Sequence, residues 1–481
     1  METGELKRKT ITGAFWQLGQ KFTTQLVGFV VSVVLARLLS PEDFGIVAMT
    51  SIFLTIAGVF ADSGLGTSLV QKKDIDHLDN NTVFFFGLGL SSLLYVVLFF
   101  CAPLIAKLYD TQQLTSLVRV LGLSLFLSSI SSVQSSLISR RLDFQKFFYV
   151  SLVSTIVSAL VGLTMALKGC GVWALVGQGL TRSFVSVITM NRIVRWVPRL
   201  EFSFERLKAL YAFGLNYMGT TLIGTFFNEL RGFLIGVKYQ PADLAYYNRG
   251  ESIPRLINDN ITGTISGVLF PAISRLQDDK RAVKTSIRRS MMTSTFLVAP
   301  LMFLLLATAG NVIELLYTEK WAMAIPFMQV VSLNYLFSIV GSANLQAMNA
   351  IGRSDITLKL EFIKKPVYLG MLLYTMTISP LAMAIGNAVY ALYGATVNAL
   401  PNKKLIGYSY MEQLKDILPQ IAIAALSGCI VYAMGKLQIN LIILLILQYL
   451  AGIGLYAITS KILHLECYHY FIVTVKDFIK K

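Results

Sequence analysis

Residues 83–105 read VFFFGLGLSSLLYVVLFFCAPLI and contain no charged side chain. Residues 297–309 and 437–458 are also free of charge. A helix needs about 20 apolar residues to cross the hydrocarbon core of a membrane, and it satisfies every backbone hydrogen bond within its own segment. These three blocks therefore predict an all-α integral membrane protein.

The rest of the chain repeats this pattern. Of its 481 residues, 55% are hydrophobic and 14% are charged, whereas soluble proteins have about 25% charged residues. Mean hydropathy is +0.63. We expect about 14 transmembrane helices. The expected spans are residues 10–38, 43–70, 80–106, 113–139, 146–167, 171–195, 207–238, 242–274, 285–316, 324–351, 356–378, 380–400, 415–435 and 438–463.

The net charge of +16 has an explanation in membrane topology. With the N-terminus in the cytoplasm, the alternating segments place about 30 Lys and Arg residues inside and about 6 outside, as the positive-inside rule requires. This bias predicts that both termini are cytoplasmic. Because no Lys/Arg tract or RNA-binding motif is present, nucleic acid is not an expected partner.

A short repeat predicts the domain organisation. Residues 40–45 read SPEDFG and residues 240–245 read QPADLA, so two proline-initiated turns lie 200 residues apart. Parallel repeats are a known transporter plan, with the substrate site between the halves. We therefore predict two six-helix lobes followed by two extra helices and a cytoplasmic tail. The predicted boundaries are 1–199, 200–403 and 404–481.

Charged residues inside the expected spans are the candidate functional groups, because each costs about 2.5–3.5 kcal/mol or more at mid-bilayer and usually faces a cavity or a partner. Glu251, Arg255 and Asp259 are spaced i, i+4, i+8 and form one stripe on a helix. Arginine suits a diphosphate because its guanidinium donates hydrogen bonds in pairs. The other candidates are Lys21, Asp62, Arg119, Arg182, Glu229, Arg231 and Arg249.

Two interpretations of these charges remain open. They line a cationic cavity, or they pair with one another and hold helices together. Lys21 and Asp62 are both expected in the inner halves of their helices, where they form either a structural salt bridge or a site for a coupling proton or sodium ion. The four cysteines form no CxxC pair, and His464, Cys467 and His469 lack a fourth ligand, so no metal site is expected.

The chain lacks the signatures of common enzymes and ATPases. It has no GxxxxGK[ST], HExxH or GxSxG motif. The short outer turns offer no large external loop for a polymerase or transferase. We therefore expect no catalytic residues, and we expect the energy for any transport to come from an ion gradient, the membrane potential or the substrate gradient.

Several motifs together resemble Wzx-type polysaccharide flippases of the multidrug/oligosaccharidyl-lipid/polysaccharide superfamily. They are LARLLSPEDFG at 35–45, DSGLG at 62–66, LAYYNRG at 244–250, VLFPAIS at 268–274 and NAIGRSD at 349–355. The matches cover about residues 10 to 365 and are specific only in combination. The last hundred or so residues are similar only in being hydrophobic.

The resemblance implies two six-helix lobes in a V and alternating access in a bacterial cytoplasmic membrane. The implied substrate is an undecaprenyl-diphosphate-linked repeat unit for O-antigen, capsule or exopolysaccharide. Membrane lipids, a polymerase and a chain-length regulator are implied partners. The expected cationic cavity comprises Arg249 in a matched motif, with Arg255, Arg231, Arg182 and Arg119 by depth. The ion-coupling candidates are Asp62, Lys21, Glu229, Glu251 and Asp259. The alternatives are a cation-coupled multidrug antiporter or a membrane polymerase or transferase.

Overall fold

The computed structural model describes residues 3–276 and 279–479. Over these residues the regular structure is helical, and a 3₁₀ segment covers Glu319–Ala324. In chain order the helices are α1 (Thr3–Leu38), α2 (Pro41–Asp62), α3 (Leu65–Gln71), α4 (His77–Leu108), α5 (Leu114–Leu121), α6 (Ser124–Arg141), α7 (Phe144–Leu167), α8 (Val172–Val194), α9 (Phe204–Lys238), α10 (Pro241–Ser274), α11 (Lys280–Tyr317), α12 (Ile325–Ala350), α13 (Ser354–Thr375), α14 (Pro380–Ala399), α15 (Asn402–Leu405), α16 (Tyr410–Met434), α17 (Leu441–Ile462) and α18 (Glu466–Ile479).

Each of the fourteen expected spans is helical, which confirms the all-α membrane fold class. Within the described part of the chain, ten helical stretches are long and apolar enough to cross a membrane. The other four expected spans are the more polar helices α8, α9, α10 and α13. These helices can enter a membrane only if their polar faces meet protein or water.

Local capping chemistry explains where several helices begin. The Ser40 side chain accepts a hydrogen bond from the Asp43 N–H, and Asp43 in return accepts from Ser40, which makes a capping box at the start of α2. Asp76 and Asp79 form the same box at α4. The hydrogen bond from the Asp79 N–H lowers the pKa of the Asp76 carboxyl. At α14, Ser379 is the N-cap and Pro380 is the first helical residue.

The second expected span, residues 43–70, is not one helix, which corrects the prediction. It breaks at Ser63 and Gly64, whose φ angles are +45° and +67°. The break admits the backbone of α9, because a Cβ on Gly64 would lie 2.4 Å from the carbonyl oxygen of Gly214. The fourth span, 113–139, is likewise divided into α5 and α6. Helix α18, which follows the last span, was not predicted.

The chain divides into two compact units, residues 1–245 and 246–481. In the first unit α7 packs on α1 and α8, while α9 packs on α2, α3 and α4. Its core includes Leu65, Val83, Val133 and Leu210. The predicted domain boundaries at 199/200 and 403/404 stay predictions.

The second unit is organised around α11. This helix packs on α12, α16 and α17, and α14 packs on α12 and α13. A core of buried residues surrounds Ile287 and Met291 of α11, both of which are fully buried. Helix α18 contacts α11 and α17, and the guanidinium of Arg288 joins it to the unit through an ion pair with Glu466 at 2.8 Å.

Candidate functional site

The polar face of α10 presents exposed charges within an expected span. The Arg255 side chain is 65% exposed, and its Nε lies 3.5 Å from Oδ2 of Asp259. Tyr335 donates a hydrogen bond of 3.3 Å to the Glu251 carboxylate. Arg255 lies about 21 Å along α10 from Pro241, near the middle of a bilayer. A guanidinium exposed at that depth is stable only beside water or an anionic ligand.

Arg249, the first choice from the sequence, is placed differently. It is 8% exposed, and its guanidinium carbon lies 4.7 Å from the ring centre of Tyr317 and 4.9 Å from that of Trp321. Both distances are in the range of cation–π contacts. The next residue, Gly250, allows α10 to approach the backbone of Ala324. These are packing contacts, and a role for Arg249 in substrate binding stays a prediction.

Arg119 also has a structural partner. Its Nε donates a hydrogen bond of 3.3 Å to the carbonyl oxygen of Phe99, and its guanidinium lies 4.1 Å from the Phe99 ring centre. Phe99 is four residues before Pro103, which lies inside α4 and has no N–H to donate to that carbonyl. Arg119 therefore replaces the hydrogen bond that the proline removes.

The remaining arginines of the predicted cavity are in the first unit. Arg182 is exposed on α8, and over the described residues it forms no ion pair. Arg231 and Glu229 are half-buried on α9. The structure thus leaves Arg182 and Arg255 as the exposed members of the predicted set, each in its own unit. Their part in binding a substrate stays a prediction.

Lys21 and Asp62 do not form the ion pair considered from the sequence, as judged over residues 3–276 and 279–479. Lys21 is exposed on α1. Asp62 is the last residue of α2, and its Oδ1 accepts a hydrogen bond of 3.4 Å from Ser132 of α6. The helix break after Asp62 sets this arrangement, and Asp62 as an ion-coupling residue stays a prediction.

Two polar features were missed in the sequence. Lys364 lies within the expected span 356–378 but was not among the candidate charges; it is in α13, 5% exposed, with its Nζ 2.5 Å from the Glu361 carboxylate. Helix α6 carries serine at eight of its 18 positions. The signals were present, because the i, i+3 spacing of Glu361 and Lys364 is helical and such a serine-rich span is unusual in composition.

The fold and these buried charges define a polytopic membrane protein with polar groups inside its helical units. The chain belongs to the polysaccharide biosynthesis protein family, whose model matches residues 34–326. The resemblance found in the sequence motifs is thereby confirmed.

The proteins similar to most of the chain include two relatives and one solved structure, as follows. The succinoglycan biosynthesis transport protein ExoT of Rhizobium meliloti (strain 1021) is 26% identical over 418 residues, 87% of this chain and 83% of the relative. The lipopolysaccharide biosynthesis protein WzxC of Escherichia coli (strain K12) is 24% identical over 450 residues, covering 89% and 88%. The lipid II flippase MurJ, in an inward closed conformation, superposes with a TM-score of 0.74 at 14% identity, covering 94% of this chain and 99% of MurJ, which shows the shared fold.

Proposed function

We propose that this protein is a flippase that moves an undecaprenyl-diphosphate-linked oligosaccharide repeat unit from the cytoplasmic to the outer leaflet of a bacterial cytoplasmic membrane. It works by alternating access, is coupled to a proton or sodium gradient, and catalyses no covalent step. Both termini are cytoplasmic. Membership of the polysaccharide biosynthesis protein family, together with relatives named for polysaccharide and lipopolysaccharide biosynthesis, carries this proposal.

The charged diphosphate is the part of such a substrate whose passage through the hydrocarbon core costs the most free energy. Arg255 can receive it, because a guanidinium presents paired donors to phosphate oxygens and stays charged inside a protein. In the absence of substrate, Asp259 at 3.5 Å compensates the Arg255 charge. Exposed pairs of this kind contribute only about 0–1 kcal/mol, so a diphosphate can displace Asp259 at small cost.

A second function has one observation in its favour. Glu251 and Asp259 are two carboxylates on the same helix face as one arginine, and carboxylates would attract a cationic drug. This arrangement suits a cation-coupled multidrug antiporter. The two functions predict opposite consequences of losing Arg255, because an antiporter would bind its cationic substrate no worse without that charge.

The test uses cells that lack this protein and carry variants on a plasmid. We expect complete lipid-linked repeat units to accumulate in the deletion strain, and we expect the intact gene to relieve the accumulation. Arg255→Ala reduces surface polysaccharide at least tenfold at normal protein level, whereas Arg353→Ala, which removes an exposed surface arginine paired with Asp355, leaves it unchanged. Sensitivity to cationic drugs without a change in glycans would replace the flippase proposal with the antiporter, and truncated units would indicate a transferase.

A further inference from the structure

The break between α2 and α3 borders a small cavity with a polar lining. Its volume is about 10 Å³, and its polar lining comes from Asp62, Ser63, Ser129 and Ser132. A volume of this size holds one water-sized occupant. Asp62 is exposed, so the cavity can be reached from outside the unit.

One of the hydroxyl groups around this cavity has no partner of its own. Ser63 is 1% exposed, and within the described part of the chain its Oγ makes no hydrogen bond. A buried hydroxyl left unsatisfied costs about 1–3 kcal/mol. An occupant that binds oxygen atoms would remove this cost. Ser132 Oγ, which donates to Asp62, keeps its lone pairs available for the same occupant.

The side-chain oxygens of Asp62, Ser132 and Ser136 converge on Gly66, beside this cavity. The position that a Cβ of Gly66 would occupy is 3.0 Å from Ser132 Oγ, 3.2 Å from Ser136 Oγ and 3.4 Å from Asp62 Oδ1. Asp62 also ends α2, where the partial negative charge of a helix C-terminus favours a cation. In transporters, the C-terminal ends of broken helices are places where sodium ions are coordinated.

We propose that this cavity, named here the Asp62–serine site, binds one sodium ion through the Asp62 carboxylate and the hydroxyls of Ser63, Ser129 and Ser132. All of these ligands are hard oxygen atoms, and such ligands favour hard cations over soft ones. A calcium site uses six to eight oxygen ligands, commonly with several carboxylates, and this site has one.

The assignment of this sodium ion as the coupling ion rests on the proposed flippase function, but its binding does not. Binding is measured on the purified full-length protein in detergent, with radioactive sodium and with the thermal unfolding midpoint at rising NaCl. Choline chloride holds the ionic strength constant. We expect saturable binding and a rise of the unfolding midpoint that choline does not produce.

Asp62→Asn and Ser132→Ala should each weaken sodium binding at least tenfold. Ser63→Ala provides a second test if Asp62→Asn fails to fold. The matched control is Ser128→Ala, because Ser128 is exposed on the same helix and its hydroxyl bonds to the carbonyl of Leu125. Sodium binding that is absent in the intact protein, or equal in Asp62→Asn and the parent, overturns the site.

The same preparations separate the two proposals. If sodium binds as expected but the deletion strain accumulates no lipid-linked repeat unit, the Asp62–serine site stands and the flippase proposal fails. If the repeat unit accumulates and no sodium binds, the flippase stands without this site.

Discussion

The hydrogen bond from Arg119 to the carbonyl of Phe99 makes a quantitative prediction. Pro103 leaves that carbonyl without its helical donor, and Arg119 supplies a charged one at 3.3 Å. Replacing Arg119 with Met keeps most of the side-chain volume and removes the donor. We therefore expect Arg119→Met to destabilise the first unit, and we expect Pro103→Ala to reduce that effect by restoring a backbone N–H.

The expected size follows from two contributions, the hydrogen bond and the cation–π contact. A hydrogen bond to a charged group contributes about 1.5–3 kcal/mol in soluble proteins, whereas polar contacts between membrane helices average about 0.6 kcal/mol. The cation–π contact with Phe99 adds about 0.5–1 kcal/mol. Arg119→Met should thus cost about 1–4 kcal/mol. For a unit of 150–250 residues, each kcal/mol lowers the unfolding midpoint by about 2–4 °C.

The assay is a double-mutant cycle on protein purified in detergent. Intrinsic fluorescence gives the unfolding midpoint of the parent, both single variants and the double variant. We expect Arg119→Met to cost about 1 kcal/mol less in the Pro103→Ala background, a coupling within the usual range for contacting residues. An equal loss of stability in both backgrounds would refute the assigned partnership. If the double variant is stable but fails to restore surface polysaccharide, Arg119 also serves the substrate, as the sequence predicted.

Two further changes test packing in each unit. Gly45→Ala places a Cβ 1.8 Å from the carbonyl oxygen of Pro241 and should sharply reduce the folded yield in fluorescence-detected size-exclusion chromatography. The control Gly58→Ala lies on the same helix, where the new Cβ meets no atom within 4 Å, and should be tolerated. Similar yields for both variants would contradict this contact. Lys364→Met removes the cation 2.5 Å from Glu361 and should lower the unfolding midpoint by more than Lys365→Met, because the Lys364 pair is closer and more buried than the Lys365 pair at 3.7 Å. Equal midpoints would show that the Lys364 ion pair contributes nothing.

The span pattern could be predicted because it depends on local composition. Twenty apolar residues in succession favour a membrane helix whatever they contact, and turns such as SPED at 40–43 carry their own capping groups. The same local signals placed Pro380 at the start of α14. The fold class, the helix order and several helix ends therefore followed from the sequence.

The contacts of the charged residues could not be predicted, because they depend on residues distant in sequence. Arg119 donates to the carbonyl that Pro103, 16 positions earlier, leaves without a helical donor. The break after Asp62 depends on the close approach of Gly214. Span 43–70 is apolar enough to be read as one helix. The charge count assigned Lys364 to the cytoplasmic side of its span, and it could not show that the side chain is buried beside Glu361.

The contacts also separate the charges that have structural partners from those that are candidates for binding a substrate. The sequence ranked Arg249 first because of its motif and chose the other arginines by depth, yet Arg249 is enclosed by aromatic rings and Arg119 donates to a backbone carbonyl. Each therefore has a structural reason to be in the membrane that requires no substrate. Within the described part of the chain, Arg255 is exposed and lies 3.5 Å from Asp259, with the Glu251 carboxylate nearby, and exposed contacts of this kind offset little of the cost of placing a charge at mid-bilayer. This uncompensated free energy is the physical argument for our proposal that Arg255 binds the diphosphate.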